Sequence, residues 1–189
     1  MAESKNNIIT HGLSGKVGDL IVFRNKGGKT FVAAAPRKST GEPSDAQKSH
    51  RKQFQEASVY GKTVALTPAA KEGYETVAKK KGLSAYNVAV ADFMKAPNIV
   101  EINLSSYTGV VGDIITIVVT DNFKVETVTV HIANVDGSEV ESGAALPDAS
   151  GTIWSYTAKV ANASLSGDKI TIRAYDMPGN VTEEEKKLL

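Results

Sequence analysis

The spacing of apolar residues changes once along this 189-residue chain, and that change constrains the fold more than any other feature. From about Ala46 to Ala96, apolar residues recur every three or four positions, the spacing of a helix packed on one side. After Ile99 they alternate with polar residues, which is the spacing of a half-buried antiparallel strand. We therefore expect two hydrophobic cores of different architecture, with a boundary near Pro97 and Asn98.

The first part, residues 1–97, is predicted to be a basic α+β module made of a β-hairpin and two or three helices. The hairpin joins residues 19–24 to residues 29–34, after a lead-in with glycine at every third position from Gly12 to Gly18. Glycine accepts positive φ at little cost, so residues 25–28 are predicted to form the turn.

Capping residues mark the predicted helices. Ser44 caps the first helix, with an apolar face predicted at Ala46, His50, Phe54, Ala57, Gly61 and Val64. Thr67 and Pro68 open a second helix that ends before Gly82. A third helix is predicted from Ser84 to about Ala96.

The second part, residues 98–189, is predicted to be an all-β immunoglobulin-like sandwich. Short alternating segments separated by turn residues are typical of that architecture. The predicted strands are residues 101–104, 113–120, 126–133, 152–160, 169–175 and a last segment from Val181.

Two stretches of the second part carry a family resemblance. They are Asp121-Asn122-Phe123-Lys124-Val125 and Ala174-Tyr175-Asp176-Met177-Pro178-Gly179-Asn180-Val181-Thr182. The second stretch resembles the end of bacterial immunoglobulin-like domains, where an alternating strand is followed by Asp, Gly-Asn and a last strand. The resemblance implies such a domain in a surface or multidomain protein.

The first part carries a separate resemblance, in Gly12-Leu13-Ser14-Gly15-Lys16-Val17-Gly18, Lys29, Pro36-Arg37-Lys38, Ala46-Gln47, Arg51 and Phe54. This pattern is similar to the start of a bacterial domain-of-unknown-function family. The family implies no particular activity.

Composition excludes several chemistries. The chain has no cysteine, which excludes disulfides, thiolate metal sites and thiol nucleophiles. The three histidines, His11, His50 and His131, lie far apart and fit no metal or catalytic motif. We therefore expect no enzyme, no cofactor and no catalytic residue.

The N-terminus lacks a signal-peptide core and no segment is long and apolar enough to span a membrane. We therefore expect a soluble cytoplasmic protein, with export by another route left open.

Charge separates the two parts. Residues 1–98 carry 16 basic and 8 acidic residues, whereas residues 99–189 carry 6 basic and 13 acidic ones. The first hypothesis is a structural or interaction protein that binds a protein partner or its own copies, with the opposite charges driving head-to-tail association.

Two alternatives remain open at this stage. A nucleic-acid site in the basic part would use Arg24, Lys26, Lys29, Arg37, Lys38, Lys48, Arg51 and Lys52. A carbohydrate site would use Trp154, Tyr156 and Tyr175, although alternation favours a core position for aromatic residues.

Five aspartates fall at predicted strand ends, where they either cap turns or hold calcium. They are Asp121, Asp136, Asp148, Asp168 and Asp176. Turn capping is the favoured interpretation.

Overall fold

The computed structural model of the chain describes residues 2–4, 8–10, 12–26, 28–36 and 41–188. These residues form two compact units, divided in sequence between Asp45 and Ala46. The predicted boundary between residues 97 and 98 instead lies inside the second unit. The three helices therefore group with the β-sandwich, because side chains at the strand ends bind them.

The first unit is a four-stranded antiparallel sheet with the strand order β1-β4-β3-β2. The strands are β1 (Ala2–Ser4), β2 (Gly15–Val17), β3 (Ile21–Lys26) and β4 (Lys29–Ala34). The predicted hairpin is confirmed, with Lys26 paired to Lys29. Its turn is shorter than expected: residues 25 and 26 belong to the strand, Gly28 has φ +75°, and Gly27 lies outside the described residues. The glycine-rich lead-in pairs with β3 as a strand.

The three predicted helices are present as α1 (Asp45–Leu66), α2 (Pro68–Lys81) and α3 (Ala85–Phe93). Gly82 ends α2 in the left-handed conformation, as predicted. The Ser84 hydroxyl accepts a hydrogen bond from the Asn87 amide and caps α3. The third helix ends at Phe93, before the predicted Ala96.

Only part of the predicted apolar face of α1 is buried. Ala57, Gly61 and Val64 are buried, and a Cβ at position 61 would come within 2.8 Å of a Val90 methyl group. Residues 45–56 are exposed, including Ala46, His50 and Phe54 of that face. The helical period was therefore correct, but α2 and α3 are shorter and cover only the C-terminal half of α1.

The rest of the second unit contains two antiparallel sheets. The strands are β5 (Asn98–Asn103), β6 (Ile114–Thr120), β7 (Val125–Ala133), β8 (Glu139–Ala144), β9 (Leu146–Pro147), β10 (Ile153–Thr157), β11 (Lys169–Asp176) and β12 (Val181–Lys187). The sheet orders are β5-β6-β10-β9 and β12-β11-β7-β8. Residues from both sheets share one hydrophobic cluster, so the pair is a β-sandwich.

The alternation predicted for β7 is confirmed. Val128, Val130 and Ile132 are fully buried, and His131 points outward, with its Nε2 3.0 Å from the Glu139 carboxylate. The sequence did not predict β8. Its buried position holds Glu141, whose carboxylate accepts hydrogen bonds from the Tyr156 hydroxyl and the Lys159 amide.

The helices have their own hydrophobic cluster around Tyr74, Ala78, Val88 and Ala89. This cluster is separate from the cluster between the two sheets, although both lie in the second unit. Phe123 from the sandwich packs against the helical cluster, so the two cores adjoin at this point. Across the described part of the chain, we find no helix with the length and apolar character to cross a membrane.

Candidate cation site

Three carboxylates from distant parts of the chain meet where the helices join the sandwich. Asp92 lies near the end of α3, Asp121 follows β6, and Asp176 ends β11. One oxygen from each lies within 4.8 Å of the others. We call Asp92, Asp121 and Asp176 the acid cluster.

Asp92 is fully buried. Its Oδ2 accepts a hydrogen bond from the Tyr74 hydroxyl at 2.6 Å, and that hydroxyl lies 2.9 Å from the Tyr60 hydroxyl. Its Oδ1 is buried and accepts no hydrogen bond from any described residue. Burial, reinforced by the nearby charges of Asp121 and Asp176, raises the pKa of the Asp92 carboxyl to about 7.

The turn after β6 supplies two more unpartnered oxygens. Oδ2 of Asp121 accepts the amides of Phe123 and Lys124, each at 2.9 Å, whereas its Oδ1 is buried and accepts none among the described residues. Asn122 donates its side-chain amide to the Ala91 carbonyl at 2.8 Å. Its Oδ1 is likewise buried without a hydrogen-bond donor from the described chain.

Asn180 fixes the third carboxylate. Its backbone amide donates to Asp176 Oδ1 at 2.6 Å, and its side-chain amide donates to Oδ2 at 2.7 Å. The same side chain donates to the Phe93 carbonyl at 3.1 Å. Burial raises the pKa of Asp176, and the charge of Asp121 adds to the effect although the Asn180 bonds oppose it.

Two further contacts join the helices to the sandwich close to the acid cluster. The rings of Tyr74 and Phe123 stack with centroids 4.1 Å apart. The Thr182 hydroxyl donates to the Pro97 carbonyl. These contacts position Asp92 of the helices against Asp121 and Asp176 of the sandwich.

Three ionised carboxylates at this spacing, two of them buried, repel one another, and one oxygen each of Asp92 and Asp121 receives no hydrogen bond from the described residues. A hard cation removes both costs, since carboxylate and amide oxygens are its preferred ligands. The residues able to hold it are Asp92, Asp121 and Asp176. The set has no imidazole or thiolate, which disfavours zinc and copper.

The five aspartates that the sequence analysis placed at strand ends occupy three different environments. Asp121 and Asp176 come together in the acid cluster. Asp136 and Asp148 cap turns, and hydrogen bonds led by those from Ser138 and Ser150 lower their pKa values. Asp168 is buried and accepts a hydrogen bond from Asn162 at 2.8 Å.

The sequence analysis missed Asp92, although a signal for it existed. Ala85, Val88 and Ala89 are buried on α3, and position 92 falls on the same face at the helical period. An ionisable residue at a core position is costly unless it has a partner, and it therefore marks a candidate site.

The residues proposed for nucleic-acid binding are divided between the two units. Arg24, Lys26 and Lys29 belong to the hairpin of the first unit, and Arg37 and Lys38 lie outside the described residues. The other three, Lys48, Arg51 and Lys52, are exposed on the first turns of α1 in the second unit.

The aromatic residues proposed for carbohydrate binding lie mainly in the core. Trp154 and Tyr156 are 4% and 1% exposed, so neither offers a stacking face to a sugar. Tyr175 is half-buried on β11. His50 is exposed rather than packed, and His11 lies outside the described residues.

Comparison with known proteins gives no family. No protein-family model and no curated protein matches the chain. Among solved structures, the crystal structure of CopC from Methylosinus trichosporium OB3b is similar to part of it, with a TM-score of 0.36 and 16% sequence identity. The match covers 47% of this chain and 87% of that chain. The similarity is too low to indicate a shared function.

Proposed function

We propose that this chain is a structural protein rather than an enzyme, in which a divalent cation clamps the helices to one end of an immunoglobulin-like sandwich. The observation that carries the proposal is the convergence of three carboxylates within 4.8 Å, two of which have a buried oxygen that receives no hydrogen bond from the described part of the chain. The cation would link α3 directly to the ends of β6 and β11.

A proton alone satisfies the acid cluster less well than a cation. One shared proton could join Asp92 to Asp121, and the raised pKa of Asp92 is consistent with that state below neutral pH. One proton on three carboxylates within 4.8 Å of one another leaves a net charge of −2, whereas a divalent cation leaves −1. A cation also binds several carboxylate oxygens at once, since calcium takes six to eight oxygen ligands.

Calcium fits the ligands better than magnesium does. Oxygens on opposite sides of calcium lie up to about 5 Å apart, whereas the octahedral shell of magnesium spans about 4 Å. The oxygens of the acid cluster lie within 4.8 Å of one another, a separation that calcium can span and that does not by itself exclude magnesium. Magnesium also retains several waters, which a buried site accommodates poorly.

The two four-stranded antiparallel sheets around one core support the immunoglobulin-like part of the proposal. The resemblance of residues 174–182 to the last turn of bacterial immunoglobulin-like domains points the same way. A structural role agrees with this architecture, which presents loops and strands to partners.

Thermal unfolding of the full chain tests the cation site. At a calcium concentration one hundred times the dissociation constant, a site present only in the folded state adds about 2.7 kcal/mol to the free energy of unfolding. We expect the unfolding midpoint to rise with calcium, to rise less with magnesium, and to return to its starting value with EDTA.

Asp121→Asn is the sharpest variant, because an asparagine oxygen can still accept the Phe123 and Lys124 amides and preserve the turn. It should abolish the calcium response. The matched control is Asp148→Asn, which alters a turn carboxylate that accepts the Thr152 and Ile153 amides outside the acid cluster. An Asp121→Asn protein that responds to calcium like the parent would refute the proposal.

A further inference from the structure

Two asparagines join the end of α3 to the sandwich beside the acid cluster. Asn122, in the turn after β6, donates its side-chain amide to the Ala91 carbonyl at 2.8 Å. Asn180, in the turn between β11 and β12, donates its side-chain amide to the Phe93 carbonyl at 3.1 Å, and the same nitrogen lies 3.4 Å from the Asp92 carbonyl. These carbonyls belong to the last turn of α3, where a helix has no amides of its own to bond them. Two separate turns of the sandwich therefore supply donors to the same end of one helix.

Each asparagine is held in its turn by a carboxylate of the acid cluster. Asp121 precedes Asn122 and closes their turn by accepting two backbone amides. In the other turn, Asp176 accepts the backbone amide of Asn180 at 2.6 Å and its side-chain amide at 2.7 Å. The same two turns therefore fix the end of α3 and two of the three carboxylates of the acid cluster.

A side-chain amide is the group that this arrangement requires. The end of the helix offers carbonyl oxygens and the acid cluster offers carboxylate oxygens, and both kinds of oxygen only accept hydrogen bonds. An asparagine amide donates two hydrogen bonds, so Asn180 can bond Asp176 and α3 at once. An aspartate at position 122 or 180 could not donate when ionised and would add a negative charge beside the acid cluster.

The ring pair and the threonine bond at this junction do not involve α3. The Tyr74 ring, which stacks on Phe123, belongs to α2. The Thr182 hydroxyl donates to the Pro97 carbonyl, just before β5. The asparagine bonds therefore act on the position of Asp92 more directly than these two contacts do.

We propose that Asn122 and Asn180 are positioning residues, which hold α3 on the sandwich so that the acid cluster is complete before a cation binds. As far as the cation is concerned, this inference rests on the proposed function. A site that is held together in advance binds its ion without also having to dock the helix. When the docked state is only partly populated, the apparent affinity falls by the docked fraction.

Hydrogen exchange of the full chain in EDTA, measured by mass spectrometry, tests the positioning without a cation. We expect peptides from α3 to exchange about fivefold faster or more in Asn122→Ala and in Asn180→Ala than in the parent, because each variant removes hydrogen bonds that hold this helix. Peptides from β7 should exchange as in the parent.

Asn134→Ala is the matched control for both variants. It removes a side-chain amide bond to the Ser138 hydroxyl, 2.9 Å long, in a different turn of the sandwich, and it should leave the exchange of α3 unchanged. Exchange of α3 that stays at the parent rate in both Asn122→Ala and Asn180→Ala would overturn the inference. Acceleration that extends equally to β7 would overturn it too, because it would show a general loss of stability.

Calorimetric titration of the same proteins with calcium separates this inference from the proposed function. In the double variant Asn122→Ala/Asn180→Ala, we expect the dissociation constant for calcium to rise about tenfold, because the ion must then also dock the helix. Asn134→Ala should bind calcium like the parent. A parent that binds no calcium would contradict the cation site, whereas faster exchange of α3 in EDTA would still support the role of the asparagines. A double variant that binds calcium as tightly as the parent would contradict the inference and leave the cation site standing.

Discussion

Asp113 in a sandwich turn and Asp92 in the acid cluster have the same side chain, but their pKa values are shifted in opposite directions. In the turns, Asp113 accepts the Thr108 and Val110 amides and the Thr108 hydroxyl, and these bonds lower its pKa. In the acid cluster, burial raises the pKa of Asp92 to about 7 and also raises that of Asp176. Burial therefore separates the two cases, because hydrogen bonds lower the pKa of an exposed turn carboxylate but do not offset the cost of burying Asp92 and Asp176.

Asp113 and Asp92 also change the stability of the fold in different pH ranges. A lowered pKa contributes stability that is present above the ordinary value near 3.8 and is lost as the pH falls through the folded-state value. A raised pKa has the reverse sign: the protonated form is favoured in the folded state, and stability falls as the pH rises from about 4 to about 7.

The largest expected effect comes from Asp92→Asn. Without a cation at pH 8, this variant should raise the free energy of unfolding by about 2–4 kcal/mol, because it removes a buried charge whose pKa is raised to about 7. An asparagine oxygen can still accept the Tyr74 hydroxyl. The same variant should lose the stabilisation by calcium.

Denaturant unfolding in EDTA and in calcium measures both effects. A variant that is less stable than the parent in EDTA would show that Asp92 is already compensated. That result would remove the contrast between the two groups of aspartates.

The pH dependence sharpens the same contrast. In EDTA, the parent should lose stability between about pH 4 and pH 7, with a slope of at most about 1.4 kcal/mol per pH unit from one group. Asp92→Asn should flatten the slope, whereas Asp148→Asn should leave it unchanged. Unfolding curves at a series of pH values in EDTA provide the measurement, and a parent whose stability is flat across this range would contradict the raised pKa.

Tyr74→Phe tests the hydrogen bond that supports the acid cluster. It removes the donor to Asp92 and the partner of the Tyr60 hydroxyl, while the ring can still stack on Phe123. We expect a loss of about 1–2 kcal/mol in the free energy of unfolding. Tyr86→Phe, at a ring outside this hydrogen-bonded chain, is the matched control and should change stability less.

The smallest effect is expected at a turn carboxylate. Asp113→Ala should lower the unfolding midpoint, because the Thr108 and Val110 amides lose their acceptor. It should leave the calcium response intact, as differential scanning calorimetry with and without calcium would show. A lost calcium response in this variant would mean that the turns and the acid cluster are not independent.

The positions of the helices and strands were easier to predict from the sequence than the faces on which they are buried. The period, Pro68 and Gly82 located α2 closely, and the glycine turn located the hairpin, because these signals are local. The predicted cap at Thr67 was wrong in one respect: its side chain accepts no cap hydrogen bond and donates to the Thr63 carbonyl instead. The extent of burial on α1 could not be predicted, since it depends on the lengths of α2 and α3, which end before they reach Phe54. Strand β8 was missed because Glu141 occupies its inward position and breaks the alternation.

The candidate site was only half visible in the sequence. Asp121 and Asp176 were identified as strand-end aspartates, together with turn residues of the same appearance. What distinguishes them is a third carboxylate, Asp92, from a helix that is distant in sequence. Periodicity places residues on faces but does not say which faces of separate elements meet.

Terbium luminescence tests the central claim most directly, because Tb³⁺ replaces Ca²⁺ at oxygen sites and nearby aromatic rings sensitise its emission. The Tyr74 hydroxyl lies 2.6 Å from Asp92, so excitation of tyrosine should produce terbium emission that saturates at one ion per chain. Calcium should displace this emission, and Asp121→Asn should abolish it while Asp148→Asn retains it. Emission that is absent from the parent, or that persists unchanged in Asp121→Asn, would contradict a cation site at the acid cluster.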